Sequence, residues 1–219
     1  MKPNLIFDLD GTLVDSNAVC VAILQEMLVE RGATRVIDPR TAARHMSLGG
    51  ERMVQALLDE CCLDPADDLA DFRARYARRP TPADSLFPGV AAGLHRLREA
   101  NFRMAICSNK PVNLCAKVLD DTGLAPLFDA VVGGQPGLRP KPAPDLLDAA
   151  LTALGATSRE CLFVGDSDLD FDVAAAAGMP FCFMTYGYAE PGWAPPAGAV
   201  FDRFDHLVAM LVAARQAGR

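Results

Sequence analysis

The chain has 219 residues, of which 51% are hydrophobic, with 21 lysines and arginines against 28 aspartates and glutamates. That length accommodates one large domain or a core with an insertion, and the apolar half suffices for a sizeable interior. The net charge of −7 argues against unaided binding to nucleic acid or an anionic membrane, although acidic clusters can still hold cations.

The first element is the apolar run Asn4-Leu5-Ile6-Phe7, a short buried strand. It opens into DLDGTLVDS, which places Asp8 and Asp10 two positions apart. Alternate side chains of an extended chain share a face, so both carboxylates leave the strand on the same side. Such a pair repels, and burying it unpaired costs several kcal/mol. The pattern therefore calls for a metal, a shared proton or a part in proton transfer; its plainer alternative is a solvated turn.

From 17 to 84 there is no convincing strand. AVCVAILQEMLVERG, DPRTAARHM, ERMVQALLDECC and PADDLADFRARYARR have helical spacing, and Asp38-Pro39 forms an N-cap and first-turn pair. This stretch is expected to be an all-helical cap (17–84) inserted into an α/β core (1–16 and 85–219), with hinges at VDSN and RPTPADSLFPG.

Beyond it, RMAIC (103–107), AVVGG (130–134), CLFVGD (161–166) and PFCFM (180–184) read as buried parallel strands. They alternate with helices at 89–101, 112–123, 143–155 and 168–178, three of which stop at Gly123, Gly155 and Gly178. The pattern predicts a doubly wound, Rossmann-like, mostly parallel sheet with helices on both faces. LVAMLVAARQAGR should form a terminal helix whose last few residues fray. No apolar run reaches membrane-spanning length, and the N-terminal apolar stretch holds Asp8 and Asp10 instead of a signal-peptide core, so a cytoplasmic protein is expected. The seven cysteines form no CxxC pair and read as reduced core residues; the three histidines are far apart and carry no metal spacing.

Polar groups follow the predicted strands. Ser108, Asn109 and Lys110 follow RMAIC, Lys141 lies in the loop after AVVGG, and Asp166 and Asp170 follow CLFV. If the strands are parallel neighbours, these ends converge on one crevice whose carboxylates, hydroxyl, ammonium and glycine turns suit a metal-bound phosphate.

In order and spacing, DLDGT, SN, a lysine followed by proline, and GDSDLD resemble the four motifs of the haloacid dehalogenase superfamily. FDLDGTLVDS followed by a helical cap is similar to its phosphoglycolate phosphatase-like branch. The resemblance implies that Asp8 is a nucleophile forming an aspartyl-phosphate and that Asp10 protonates the leaving oxygen, then activates water. It implies Mg²⁺ held by the Asp8 and Asp166 side chains and the Asp10 main-chain carbonyl. Phosphate oxygens would be held by Ser108, Asn109, Lys141 and the turn Leu9-Asp10-Gly11-Thr12, with Asp170 and Ser167 orienting the lysine or a metal-bound water. Asp168 and Asp172 read as solvated acids. HMSLGGERM (45–53) resembles the cap loop that overhangs the pocket in phosphoglycolate phosphatases. Gly49 and Gly50 could offer N–H groups there, and Arg44, His45 or Arg52 could pair with a substrate carboxylate.

The expected activity is that of a Mg²⁺-dependent phosphatase, monomeric or homodimeric, on a small phosphorylated metabolite, with 2-phosphoglycolate as the leading candidate. The dehalogenases of this superfamily do not keep an aspartate at the position of Asp10. A phosphonatase would need a cap lysine, and 17–84 contains none. A sugar phosphate mutase of β-phosphoglucomutase type and a non-catalytic metal-dependent binder are the alternatives.

Overall fold

The computed structural model describes residues 4–217. Strand β1 (Asn4–Phe7) is buried along its whole length. Four helices follow it before the chain returns to the sheet: α1 (Asn17–Glu30), α2 (Pro39–Ala43), α3 (Gly50–Leu58) and α4 (Pro65–Arg78). Then come α5 (Val90–Glu99), β2 (Arg103–Pro111), α6 (Val112–Asp121), β3 (Ala130–Gly134) and α7 (Asp145–Leu154). The chain closes with β4 (Cys161–Gly165), α8 (Asp168–Ala176), β5 (Phe181–Met184), β6 (Ala199–Phe201) and α9 (Phe204–Ala217).

The sheet runs in the order β3-β2-β1-β4-β5-β6, and every pairing in it is parallel. It is the doubly wound α/β sheet expected from the short apolar runs. Along β1, Leu5 and Phe7 join the interior on one face with Met104, Ile106 and Phe204, whereas Ile6 joins Ala105, Phe163 and Leu147 on the other. β2 and β3 follow on one side of β1, and the chain then crosses from β3 to β4 on its other side, so the strand order reverses there. Loops diverge at such a point and leave a crevice beyond the strand ends, where open α/β sheets bind ligands. Asp8 follows β1 and Asp166 follows β4, one on each side of that reversal.

The inserted helices share an interior with the first face, through Ile23, Leu24, Met27, Val54, Leu58 and Tyr76. Asp38 caps α2 by accepting from the Arg40 N–H, and Asp64 caps α4 by accepting from Ala66 and Asp67; each cap is followed by proline. A bidentate ion pair from Arg31 at the end of α1 to Asp68 in the first turn of α4 ties the insertion together.

Three local expectations need correction. The helix expected through Cys62 stops at Leu58, because Asp59 adopts φ +52° and the chain continues as one 3₁₀ turn. An aspartate tolerates that left-handed backbone better than most residues. Strand β6 was not expected: only three residues long and largely exposed on the sheet edge, it carries no buried apolar run. The terminal helix starts at Phe204, and part of the expected fraying falls on 218 and 219, outside the described residues. No described helix is long and apolar enough to cross a membrane. All seven cysteines are unpaired, and burial pushes the thiols of Cys20 and Cys107 up to about 12, as suits inert interior residues.

Candidate active site

The ends of β1, β2 and β4 and the loop after β3 deliver polar groups to the crevice, and buried hydrogen bonds fix most of them. The Asp8 carboxylate, 8% exposed, has Lys141 Nζ at 3.0 Å from its Oδ1. Lys141 also donates to Asp170 Oδ1. The other oxygen of Asp170 accepts from the N–H groups of Asp166 (3.2 Å) and Ser167 (3.1 Å) and from the Ser167 hydroxyl (2.7 Å). Asp170, fully buried, is therefore saturated with donors and holds the lysine against Asp8. Asn109 clasps the Lys141 backbone on both sides, donating to its carbonyl (3.1 Å) and accepting from its N–H (2.7 Å).

Asp166 accepts from the Thr12 hydroxyl at 2.7 Å and from the Tyr188 N–H at 2.8 Å. Its carboxylate lies so close to the β1 turn that a Cβ on Gly11 would fall 2.2 Å from Oδ2, and Gly11 has φ +86°. Only glycine meets both demands there. Asp168 and Asp172 are exposed on α8, as solvated acids should be.

Asp8, Asp166 and Asp170 each offer an oxygen within 4.8 Å of the others. Burial, reinforced by Asp170 and Asp8, holds Asp166 well above the usual carboxylate range. Burial likewise pushes Asp8 up to about 6, with Lys141 opposing it. Asp8 Oδ1 is buried and faces the Lys141 ammonium. Crowded, desolvated carboxylates fit a hard divalent cation, which takes oxygen ligands. Lys141 keeps its proton, because Asp170 and Asp8 outweigh the burial that acts against its charge.

A cavity of about 150 Å³ opens above these groups. Its floor is Asp8, Asp10, Ser108, Asn109, Lys110, Lys141, Asp166 and Ser167. Its roof comes from the insertion: Met46, Ser47, Gly49, Gly50 and Met53, with Leu69, Phe72, Arg73 and Tyr76 of α4. Leu9, Gly11 and Thr12 form the turn behind the floor and do not line the cavity. Of the residues expected to grip substrate from above, Gly49 and Gly50 line it, whereas Arg44, His45 and Arg52 do not. Arg52 is exposed on α3 while its neighbour Met53 is buried, since the apolar face Met53-Val54-Leu57-Leu58 turns the arginine outward.

Among the lining residues not picked out as site residues from the sequence are Lys110, Arg73, Tyr76 and Tyr188. Lys110, one place beyond Asn109, meets both oxygens of Asp10 at 3.0 Å and lies 4.1 Å from the centre of the Tyr76 ring. Burial acts against its charge, but Asp10, Tyr76 and Cys20 outweigh it and hold Lys110 above the usual lysine range. Arg73 and Tyr76 come from α4. Tyr188, in the loop after β5, also donates its hydroxyl to Asp15 Oδ1 (2.7 Å) and accepts from the Asn17 N–H (3.1 Å), where the chain enters the insertion.

Comparison with known proteins agrees with this arrangement. The model of the haloacid dehalogenase-like hydrolase family matches residues 5–184. The chain is 36% identical to a plasmid-borne phosphoglycolate phosphatase of Cupriavidus necator, over 97% of this chain and 94% of that one. It is 38% identical to the phosphoglycolate phosphatase of Rhodospirillum rubrum, over 94% and 90%. In fold it is similar to the crystal structure of CbbY from Rhodobacter sphaeroides in complex with phosphate, with a TM-score of 0.77, 21% identity, and 94% and 96% of the two chains covered. With these matches and this crest of carboxylates and lysine, the chain belongs to the haloacid dehalogenase-like hydrolase family, as a phosphatase on its phosphoglycolate phosphatase-like branch.

Proposed function

We propose that the protein is a Mg²⁺-dependent phosphatase that hydrolyses a small phosphorylated metabolite in the cytoplasm through an aspartyl-phosphate on Asp8, with 2-phosphoglycolate as its leading substrate. The observation that carries this reading is Asp8 itself. It lines the cavity, is buried, and lies against Lys141.

In the proposed reaction an Asp8 oxygen bonds to phosphorus as the bond from phosphorus to the ester oxygen breaks, and Asp10 gives its proton to the departing alkoxide. Asp10 then takes a proton from water as that water attacks the phosphoaspartate, which releases inorganic phosphate and restores the Asp8 carboxylate. Ser108, Asn109 and the backbone N–H groups just after Asp8 orient the phosphoryl oxygens, and Lys141 offsets their charge. Asp170 and Ser167 act by positioning, since their contacts run to Lys141 and to the backbone at the end of β4. Mg²⁺ would be held by the Asp8 and Asp166 carboxylates and the Asp10 main-chain carbonyl, and when bound it supplies charge neutralisation to the phosphoryl oxygens.

The cavity argues for a small substrate. About 150 Å³ is the size of an engineered protein cavity that admits a benzene ring. That suits two carbons and a carboxylate beside a phosphoryl group better than a nucleotide. The names of the relatives support the same substrate. The helices of 17–84 act as a cap that opens between turnovers about the segments 15–17 and 80–88; a crosslink between these flanks should therefore slow turnover, and unchanged turnover would count against required motion.

The reading is tested by phosphate release from 2-phosphoglycolate, sugar phosphates, nucleotides and pyrophosphate, with and without Mg²⁺. Metal-dependent release, with 2-phosphoglycolate highest in kcat/KM, is the expected outcome. Release from none of them, or transfer of the phosphoryl group between carbons of one sugar, would sink it.

A further inference from the structure

Three cationic side chains line the cavity: Lys110, Lys141 and Arg73. Lys141 is taken up by Asp8 and Asp170, and Lys110 by both oxygens of Asp10. Arg73 makes no ion pair among the described residues, and Glu51 acts on it only through longer-range attraction. Arg73 is exposed on α4, yet desolvation of its guanidinium weakens its hold on the proton, as expected for a cation that has lost some water and gained no carboxylate.

The surroundings of Arg73 are built around it. On α4, Leu69, Phe72, Arg73 and Tyr76 follow one another at helical spacing and all line the cavity. The guanidinium lies against the bare backbone of Gly50, where an added Cβ would stand 3.4 Å from Arg73 Nη2 and 2.9 Å from the Leu69 methyls. Gly50 opens α3, so the unpaired N–H groups of that helix's first turn lie beside the guanidinium. An anion there would meet a fork of donors from the roof while the opposite end of the same molecule reached the Asp8 floor. Phe72, Tyr76 and Met53 line the same cavity and suit a short carbon chain.

We propose that Arg73 is the residue that determines specificity for a carboxylate at the end of the substrate opposite its phosphoryl group. The proposal rests on the phosphatase reading for the orientation of that substrate. A planar guanidinium pairs with a carboxylate through two parallel hydrogen bonds, a geometry that a lysine reproduces only in part.

The test uses binding, so that it does not depend on turnover. Asp8→Asn protein loaded with Mg²⁺ is titrated calorimetrically with 2-phosphoglycolate and with ethyl phosphate, which lacks the carboxylate, with Arg73 intact, as Arg73→Met and as Arg73→Lys. With Arg73 intact, 2-phosphoglycolate should bind at least about tenfold more tightly than ethyl phosphate. Arg73→Met should collapse that ratio toward one, Arg73→Lys should restore part of it, and thermal midpoints should stay together. A ratio that survives Arg73→Met overturns the proposal. So does an intact protein that does not prefer 2-phosphoglycolate, whether it binds both ligands or neither. Failure of the phosphatase reading shows separately, as wild-type protein that releases phosphate from no ester.

Discussion

The crest of the sheet and the helical insertion face each other across one cavity but are built on different principles. On the crest, buried charged groups are held by fixed partners: Asp170 accepts from one lysine, two N–H groups and a hydroxyl, and Asp166 from Thr12 and Tyr188. On the insertion, the cavity wall is apolar, and most charges sit outside in exposed pairs such as Arg75 with Glu30 and Arg79 with Glu26. The crest is thus preorganised for one chemistry, since buried donors and carboxylates cannot reorient cheaply. The insertion presents a shape with one unpaired cation, which can change without disturbing the reacting groups.

If that contrast holds, substitutions on the crest should remove turnover, and substitutions in the insertion should alter stability or selectivity. The largest effect belongs to Asp8→Asn, expected to lower kcat by about 10⁴-fold or more in a phosphate-release assay, because no other group lining the cavity offers an equivalent nucleophile. Next comes Lys141→Met, which leaves Asp8 and Asp170 without their shared cation. It should destabilise the fold by about 3 kcal/mol in urea titrations and lower kcat about 100-fold.

The insertion should respond differently. The Arg31 guanidinium beside Asp68, helped by the Leu63 N–H, lowers that carboxylate from 3.8 to about 2 against the opposing effect of burial. Its folded value lies below its ordinary one, so the pair contributes fully above about 3.8 and the contribution fades as pH falls toward about 2. Asp68→Asn should therefore cost about 1–2 kcal/mol at neutral pH, allowing for solvent screening, with kcat nearly unchanged. The gap between variant and wild-type urea midpoints should narrow as the buffer is acidified below the ordinary carboxylate value; a gap independent of pH would mean the charge of Asp68 is not what matters.

The smallest effect probes the link between the regions. Tyr188→Phe removes the hydroxyl that meets Asp15 and Asn17 but keeps the N–H that meets Asp166. A loss of about 1 kcal/mol is expected. Mg²⁺ affinity should be unchanged, and loss of metal binding would show that the two regions are not separable at this residue.

The same contrast explains what could be read from the chain. Asp8, Ser108, Lys141 and Asp166 each follow a short apolar run, and parallel strand order alone brings such ends together, so their convergence was legible from spacing. Asp10 was legible as the partner of Asp8, but its pairing with Lys110 was not, because that contact spans 100 positions and depends on the crevice itself. The roof was misjudged for a physical reason. A loop with three basic or titratable residues, Arg44, His45 and Arg52, looks like an anion grip, yet helical phase turns Arg52 out and sets Gly50 against Arg73. Which arginine of FRARYARR faces the cavity depends on how α4 packs, and packing between helices leaves only a weak trace in a single chain.

The measurement that bears most directly on the central claim is rapid acid quench of the Mg²⁺-loaded enzyme during its first turnover of 2-phosphoglycolate, followed by mass analysis of the peptide that contains Asp8. The account predicts a phosphoryl group on Asp8 that appears before free phosphate and is absent from Asp8→Asn protein. Release of phosphate without any modification of Asp8, and at an undiminished rate in Asp8→Asn, would contradict it.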